Sequence, residues 1–136
     1  MLVSSKNKNE KVVLGLLSYT YGNQNLTIEE QQQIIIDYRD DDQYELYLYE
    51  DTSTENFVGI LAVELIKSNK DENVIETVSI HKVAVVPSFR GEGIGLEMYK
   101  ELKKKHPNAS IIGTMDTVDL VTKWSKEYSK MEEQVD

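Results

Sequence analysis

The stretch of this chain with the most chemical potential is Arg90-Gly-Glu-Gly-Ile-Gly95. Three glycines at alternate positions let the backbone turn tightly, with several N–H groups directed into one concavity. The stripe Ile94, Met98, Leu102 has helical spacing, so a helix N-terminus stands behind the turn and adds about half a positive charge. That combination suits a pyrophosphate, and Arg90 can supply a full cation beside it. Two other phosphate motifs do not fit. A dinucleotide fingerprint needs a third glycine where Leu96 follows Gly91/Gly93, or where Met98 follows Gly93/Gly95. A P-loop needs G-K-[S/T], which this chain lacks. A ligand-free structural turn would account for the glycines alone, but not for the ordered elements around them.

Those elements begin with the strand before the turn. Val78 and Ile80 are apolar at even positions, and Val83 and Val85 at odd ones. A strand of period two changes phase only where a residue is inserted, which predicts a β-bulge near His81–Lys82. The alternative is a strand buried on both faces, where phase carries little meaning.

The rest of the chain supplies the scaffold. A short strand is expected near Leu2–Val3, then a helix capped by Asn9 and carrying Val12, Val13, Leu16 and Leu17. Gly22-Asn23 ends it. Thr27-Ile-Glu-Glu30 reads as a capping box, opening a helix to about Tyr38. Strands are predicted at Tyr44–Tyr49, Phe57–Ile66 and Val74–Val86. The turns between them are too short for crossover helices, so they form an antiparallel meander. A helix over Gly93–Lys105, a strand at Ser110–Met115 and a helix over Val118–Lys130 complete the order, with 132–136 a frayed tail. The strand–helix–strand unit is expected to be parallel. The fold class is therefore α/β, a mixed sheet with helices on both faces, in one domain spanning residues 1–136.

Composition excludes several function classes. The chain has 136 residues, 40% hydrophobic and 29% charged, the mixture of an ordinary globular domain. It has no cysteine, so thiol catalysis, disulfides and Cys-ligated metals are excluded. No three His, Asp or Glu residues show a metal-ligand spacing. No apolar run approaches the roughly 18 residues of a membrane span, and residues 1–11 lack a signal-peptide core, so a cytoplasmic protein is expected. The net charge of −9 falls wholly in residues 1–80, while residues 81–136 are neutral. Nucleic acid is an unfavourable partner for such a chain. The neutral half tolerates an anionic ligand, and the acidic half favours a cationic substrate.

The pattern Ile80-x-x-Val83-x-Val85-x-Pro87-x-x-Arg90-Gly91-x-Gly93-Ile94-Gly95 resembles the acetyl-CoA motif of the GNAT superfamily of N-acetyltransferases. Element order is similar over most of the chain. A narrower likeness, carried by Gly15-Leu-Leu-Ser18 and by the early C-terminal end, is to small acetyltransferase-like proteins of bacterial riboflavin operons. The resemblance implies a GNAT-like three-layer fold, acetyl-CoA as cofactor and a small amine as acceptor, attacked directly in a ternary complex. It implies that the Val83, Ala84, Val85 segment pairs through its Val83 and Val85 backbones with the pantetheine arm. It also implies that the N–H groups of Gly91, Glu92, Gly93, Ile94, Gly95 and Leu96 hold the pyrophosphate, with Arg90 beside it. A backbone N–H in the bulge becomes the candidate oxyanion donor.

The chain departs from the superfamily in two places. The last helix reads Val118-Asp-Leu-Val-Thr-Lys-Trp124-Ser125, which puts Ser125 where the superfamily carries a tyrosine as acid for the leaving thiolate. Tyr128, one turn on, is the substitute, although Trp124 and Tyr128 at i,i+4 also fit simple packing. The two C-terminal strands that often wall the acceptor site are missing. His81 is the candidate base, histidine being the residue type whose reference pKa, about 6.5, suits that role. Glu64 and Glu76 border the acceptor cleft, and His106 with Lys103–Lys105 ends the motif helix. The second reading is a catalytically degenerate acyl-CoA-binding module or regulatory subunit. The third is a subunit completed by a partner or as a homodimer, in which case the edge beyond Ser110–Met115 must be exposed and apolar.

Overall fold

A computed structural model describes residues 1–5 and 9–133. Its strands are β1 (Leu2–Ser4), β2 (Tyr44–Glu50), β3 (Phe57–Lys67), β4 (Ile75–Val85) and β5 (Ser110–Gly113). Its helices are α1 (Glu10–Leu17), α2 (Ile28–Arg39), α3 (Ile94–Lys105) and α4 (Val118–Glu133). The strands form one sheet in the order β1-β2-β3-β4-β5, antiparallel throughout except for the parallel pair β4–β5. This is the mixed α/β architecture expected.

Alternation along the central strands builds a core on each face. Leu46, Leu48, Ile60, Ala62 and Ala84 point one way, where Val13, Leu16, Leu17 of α1 and Ile35 of α2 cover them. Tyr47, Leu61, Val63, Val78 and Ile80 point the other way, against Met98, Tyr99 and Leu102 of α3 and Val121 and Trp124 of α4. The α2 capping box forms as expected: Glu30 N–H donates to Thr27 Oγ1 and Thr27 N–H donates to Glu30 Oε1, both at 3.1 Å. Within α2 only Ile35 is fully buried, while Ile28 and Ile36 face solvent. Asn9 occupies the N-cap of α1 without the expected side-chain cap bond. Helix α4 runs to Glu133, past the expected end at Lys130; residues 134–136 of the expected tail lie outside those described. No helix among the described residues is long and apolar enough to cross a membrane.

The bulge is where the phase change placed it. Ile80 sits opposite Val63 and Lys82 opposite Ala62, so His81 has no counterpart on β3. The extra residue returns Val83 and Val85 to the face of Val78 and Ile80, against the α3–α4 core. At the same point β5 leaves β4: its last pair is Ile80 with Gly113. Thr117 fastens the fork, its Oγ1 donating to the Ile80 carbonyl at 2.7 Å and accepting the Thr114 N–H at 2.9 Å. Gly113 lets α4 start this close. A Cβ there would meet Val118 Cα at 2.7 Å and Thr117 Oγ1 at 2.8 Å. Gly113→Ala is therefore expected to cost about 1–3 kcal/mol of stability by overpacking, read as a lower urea midpoint. An unchanged midpoint would mean that the start of α4 yields freely.

Candidate active site

Beyond the fork, β4 has one edge open. Val86 donates its N–H to the Val58 carbonyl at 2.8 Å. Because backbone groups alternate along a strand, those of Val83 and Val85 point to the opposite edge, which no strand pairs beyond Ile80. They form one wall of a groove of about 580 Å³. Arg90, Gly91, Gly93, Ile94, Gly95 and Leu96 form its floor and head, and Leu120, Lys123, Trp124 and Glu127 of α4 its far wall. Tyr19 and Phe89 close the mouth.

Each of the three glycines has its own role. Gly91 and Gly93 have φ of +84° and +79°, the left-handed region, where a side chain is strained. Neither has any atom within 4 Å of where a Cβ would sit, so that space is open to a ligand. Gly93 is the N-cap of α3 and makes no side-chain cap bond, which leaves the first-turn N–H groups directed at the groove. Gly95 instead permits packing: a Cβ on it would lie 2.6 Å from the Trp124 ring. Arg90 donates from Nε to the Val85 carbonyl at 3.0 Å, with its guanidinium carbon 5.4 Å from the centre of the Tyr19 ring. The charge that resides at the groove is thus held in place by the strand it serves.

At Val83 the groove meets a second cleft, of about 340 Å³, lined by Thr20, Tyr21, Gly22, Gln24, His81, Lys82, Val83, Asp116 and Thr117. Tyr21 is buried, and its hydroxyl has no hydrogen-bond partner among the described residues. Burial pushes its pKa above the ordinary phenol value, so it stays a proton donor. The Lys82 ammonium lies 5.6 Å from the centre of its ring.

A profile of the acetyltransferase (GNAT) family matches residues 13–123, which include the bulge, the glycine turn, the lining of the second cleft and that of the groove up to Lys123. This chain belongs to that family. The GNAT chain is 28% identical over 123 residues to an uncharacterized N-acetyltransferase from the lysA 3′ region of Bacillus methanolicus, covering 90% of this chain and 93% of that one. Its fold is similar to a GNAT family acetyltransferase of Staphylococcus aureus (TM-score 0.64, 14% identity, 83% of each chain). It is also similar to glucosamine-6-phosphate N-acetyltransferase from Arabidopsis thaliana (TM-score 0.59, 16% identity, 92% and 89% covered).

Of the site residues expected from sequence, Val83, Ala84, Val85, Arg90, Gly91, Gly93, Ile94, Gly95 and Leu96 come together on the groove of this GNAT chain. Glu92 is exposed and does not line it. Ser125 faces solvent. Tyr128 packs on Tyr99, ring centres 5.8 Å apart, beside Lys100, Met131 and Glu132, outside the groove. His81 lines the second cleft, with Nδ1 3.0 Å from the Tyr38 hydroxyl and Nε2 3.4 Å from Glu64 Oε1. His106 caps the far end of α3, where burial first and Lys105 second hold its pKa below the ordinary value. Lys103–Lys105 lie at that same end, about 15–20 Å along the helix from the glycine turn at about 1.5 Å per residue.

Sequence reasoning missed Tyr19, Tyr21, Lys123 and Glu127. Leu120, Lys123, Trp124 and Glu127 fall on one helix face, a signal that was present in their spacing. Tyr19 and Tyr21 sit in the connection after α1, where no periodicity points at a distant strand.

Proposed function

We propose that this chain transfers an acetyl group from acetyl-CoA to a small amine by direct attack in a ternary complex. The observation that carries this reading is a continuous path. The pyrophosphate-sized turn at Gly91–Gly95 leads along the unpaired Val83/Val85 edge to the bulge, where the second cleft opens. The residues fit the cofactor: an uncapped helix start, a cation at Arg90, and open space over two left-handed glycines. Bound there, acetyl-CoA supplies the acetyl group as a thioester. The amine forms the new C–N bond as the C–S bond breaks; the sulfur leaves with the electron pair and takes a proton, and the nitrogen gives one up. Among the described residues no serine, cysteine or histidine lines the groove, which favours direct transfer over an acyl-enzyme.

The chain's own contribution is binding and polarisation. Backbone N–H groups at the bulge would polarise an acetyl carbonyl bound there, and the Tyr21 hydroxyl, protonated and without a partner among the described residues, would donate to the reacting centre. Tyr128, Ser125 and His81 remain the other candidates for acid and base. The expected result of titrating acetyl-CoA is stabilisation of the fold, by about 2.7 kcal/mol at a hundredfold excess over Kd. Free CoA should then be released faster with an amine panel. Stabilisation without release under any amine would favour the degenerate acyl-CoA-binding module, which Trp124 at the groove wall also suits. No stabilisation would remove the cofactor assignment.

The same proposal extends to location, relatives and assembly. A cytoplasmic, one-domain protein accords with the acidic chain. The likeness to the acetyltransferase-like proteins of riboflavin operons rests on Gly15-Leu-Leu-Ser18. A homodimer through the β5 edge is supported by that strand's position at the sheet margin and by exposed Ile112 and Met115. Light scattering should show a dimer that Ile112→Lys converts to monomer; a monomeric wild type would overturn this.

A further inference from the structure

His81 walls two cavities, and the reading above uses one. Beyond the acceptor cleft, a pocket of about 270 Å³ is lined by Asp37, Tyr38, Tyr44 and His81. Its three rings pack edge to face: Tyr38 and Tyr44 centres lie 5.5 Å apart, Tyr38 and His81 6.0 Å, Tyr44 and His81 5.9 Å. Two carboxylates attend it. Asp37 is on the pocket wall, with Oδ1 accepting from Gln33 Nε2 at 2.8 Å. Glu64 holds His81 Nε2 at 3.4 Å and accepts from Gln43 Nε2 at 2.6 Å. Among the described residues no lysine or arginine lines the pocket. Both ring nitrogens of His81 are engaged, since the Tyr38 hydroxyl meets Nδ1 at 3.0 Å. The imidazole therefore stands as a wall.

Aromatic rings with carboxylates in a concavity recognise a cation. We infer that the Asp37–Tyr38–Tyr44–His81 pocket seats a second ammonium group of the acceptor, so the substrate class is a diamine, one amine in the acceptor cleft and the other beyond His81. This rests on the amine-acetyltransferase reading of the cleft. The charge of residues 1–80 accords with it, since the acidic half of the chain carries the entire net −9 and draws a dication toward the pocket.

The experiment compares α,ω-diaminoalkanes with n-alkylamines of the same chain length as acceptors, at saturating acetyl-CoA. The expected result is a kcat/KM at least about tenfold higher for the best diamine, carried in KM. Asp37→Asn, at an exposed position, and Glu64→Gln should collapse that ratio toward one while acetyl-CoA affinity holds. Equal use of both series by the wild type would overturn the subsite and leave the transferase reading standing. If neither series is acetylated, binding decides the subsite. Diamine titrated into CoA-saturated protein must then raise the melting temperature more than the monoamine does, and less in Asp37→Asn. Equal shifts would overturn it.

Discussion

Gly93→Val is expected to abolish acetyl-CoA binding while leaving a folded protein. At φ +79° a β-branched side chain is strained, at a cost on the order of 1–3 kcal/mol. No protein atom obstructs the new side chain, because nothing lies within 4 Å of the Cβ position. What it does obstruct is the approach of a phosphate to the backbone N–H groups at the start of α3. The measurement is the shift in melting temperature with acetyl-CoA, in wild type and variant. Gly22→Val is the control: it also has φ in the left-handed region, at +59°, and open space around the Cβ. It lines the acceptor cleft and not the groove, so it should bear similar strain and keep acetyl-CoA binding. Loss in both variants would trace the effect to backbone strain, and loss in neither would remove the pyrophosphate assignment.

Tyr21→Phe is expected to lower kcat by about a hundredfold, the scale of a lost proton donor, with acetyl-CoA affinity unchanged. Stability should hold or rise by up to about 1 kcal/mol, because the wild type buries this hydroxyl without a partner. A structural tyrosine would give the opposite pattern, losing stability and keeping rate. The pH dependence follows from the direction of the shift. Burial raises the phenol above its ordinary 10.0, so the donor is intact at neutral pH and its loss appears only on an alkaline limb above that value. Unchanged kcat in Tyr21→Phe would return the role to Tyr128, Ser125, His81 or solvent. Kinetics and urea unfolding of the one variant separate these outcomes.

The chain's local chemistry announced much of this site. The change of apolar phase between Ile80 and Val83 required an inserted residue, and His81 is that residue. Alternate glycines before a helical stripe allowed a tight turn, and Gly91 and Gly93 make it with positive φ. Both inferences succeed because period and glycine freedom act over a few residues, without reference to the rest of the chain.

The wall opposite the glycines could not be settled that way. Trp124 and Tyr128 are one turn apart on α4, and either could have met the cofactor. The close approach of α4 at Gly95 and Gly113 puts Trp124 against the groove and Tyr128 against Tyr99. Likewise His81, a free imidazole on paper, has Tyr38 and Glu64 at its two nitrogens only because α2 and β3 pack beside the bulge. By itself the sequence determined the order of elements, the bulge and the glycine turn, since those follow from backbone periodicity and local conformational freedom. The tertiary structure alone decided which side chains of α4 and of the turn after α1 face the two clefts, and which of α2 reach His81, because a helix's rotation and depth are set by packing with residues far away in the chain.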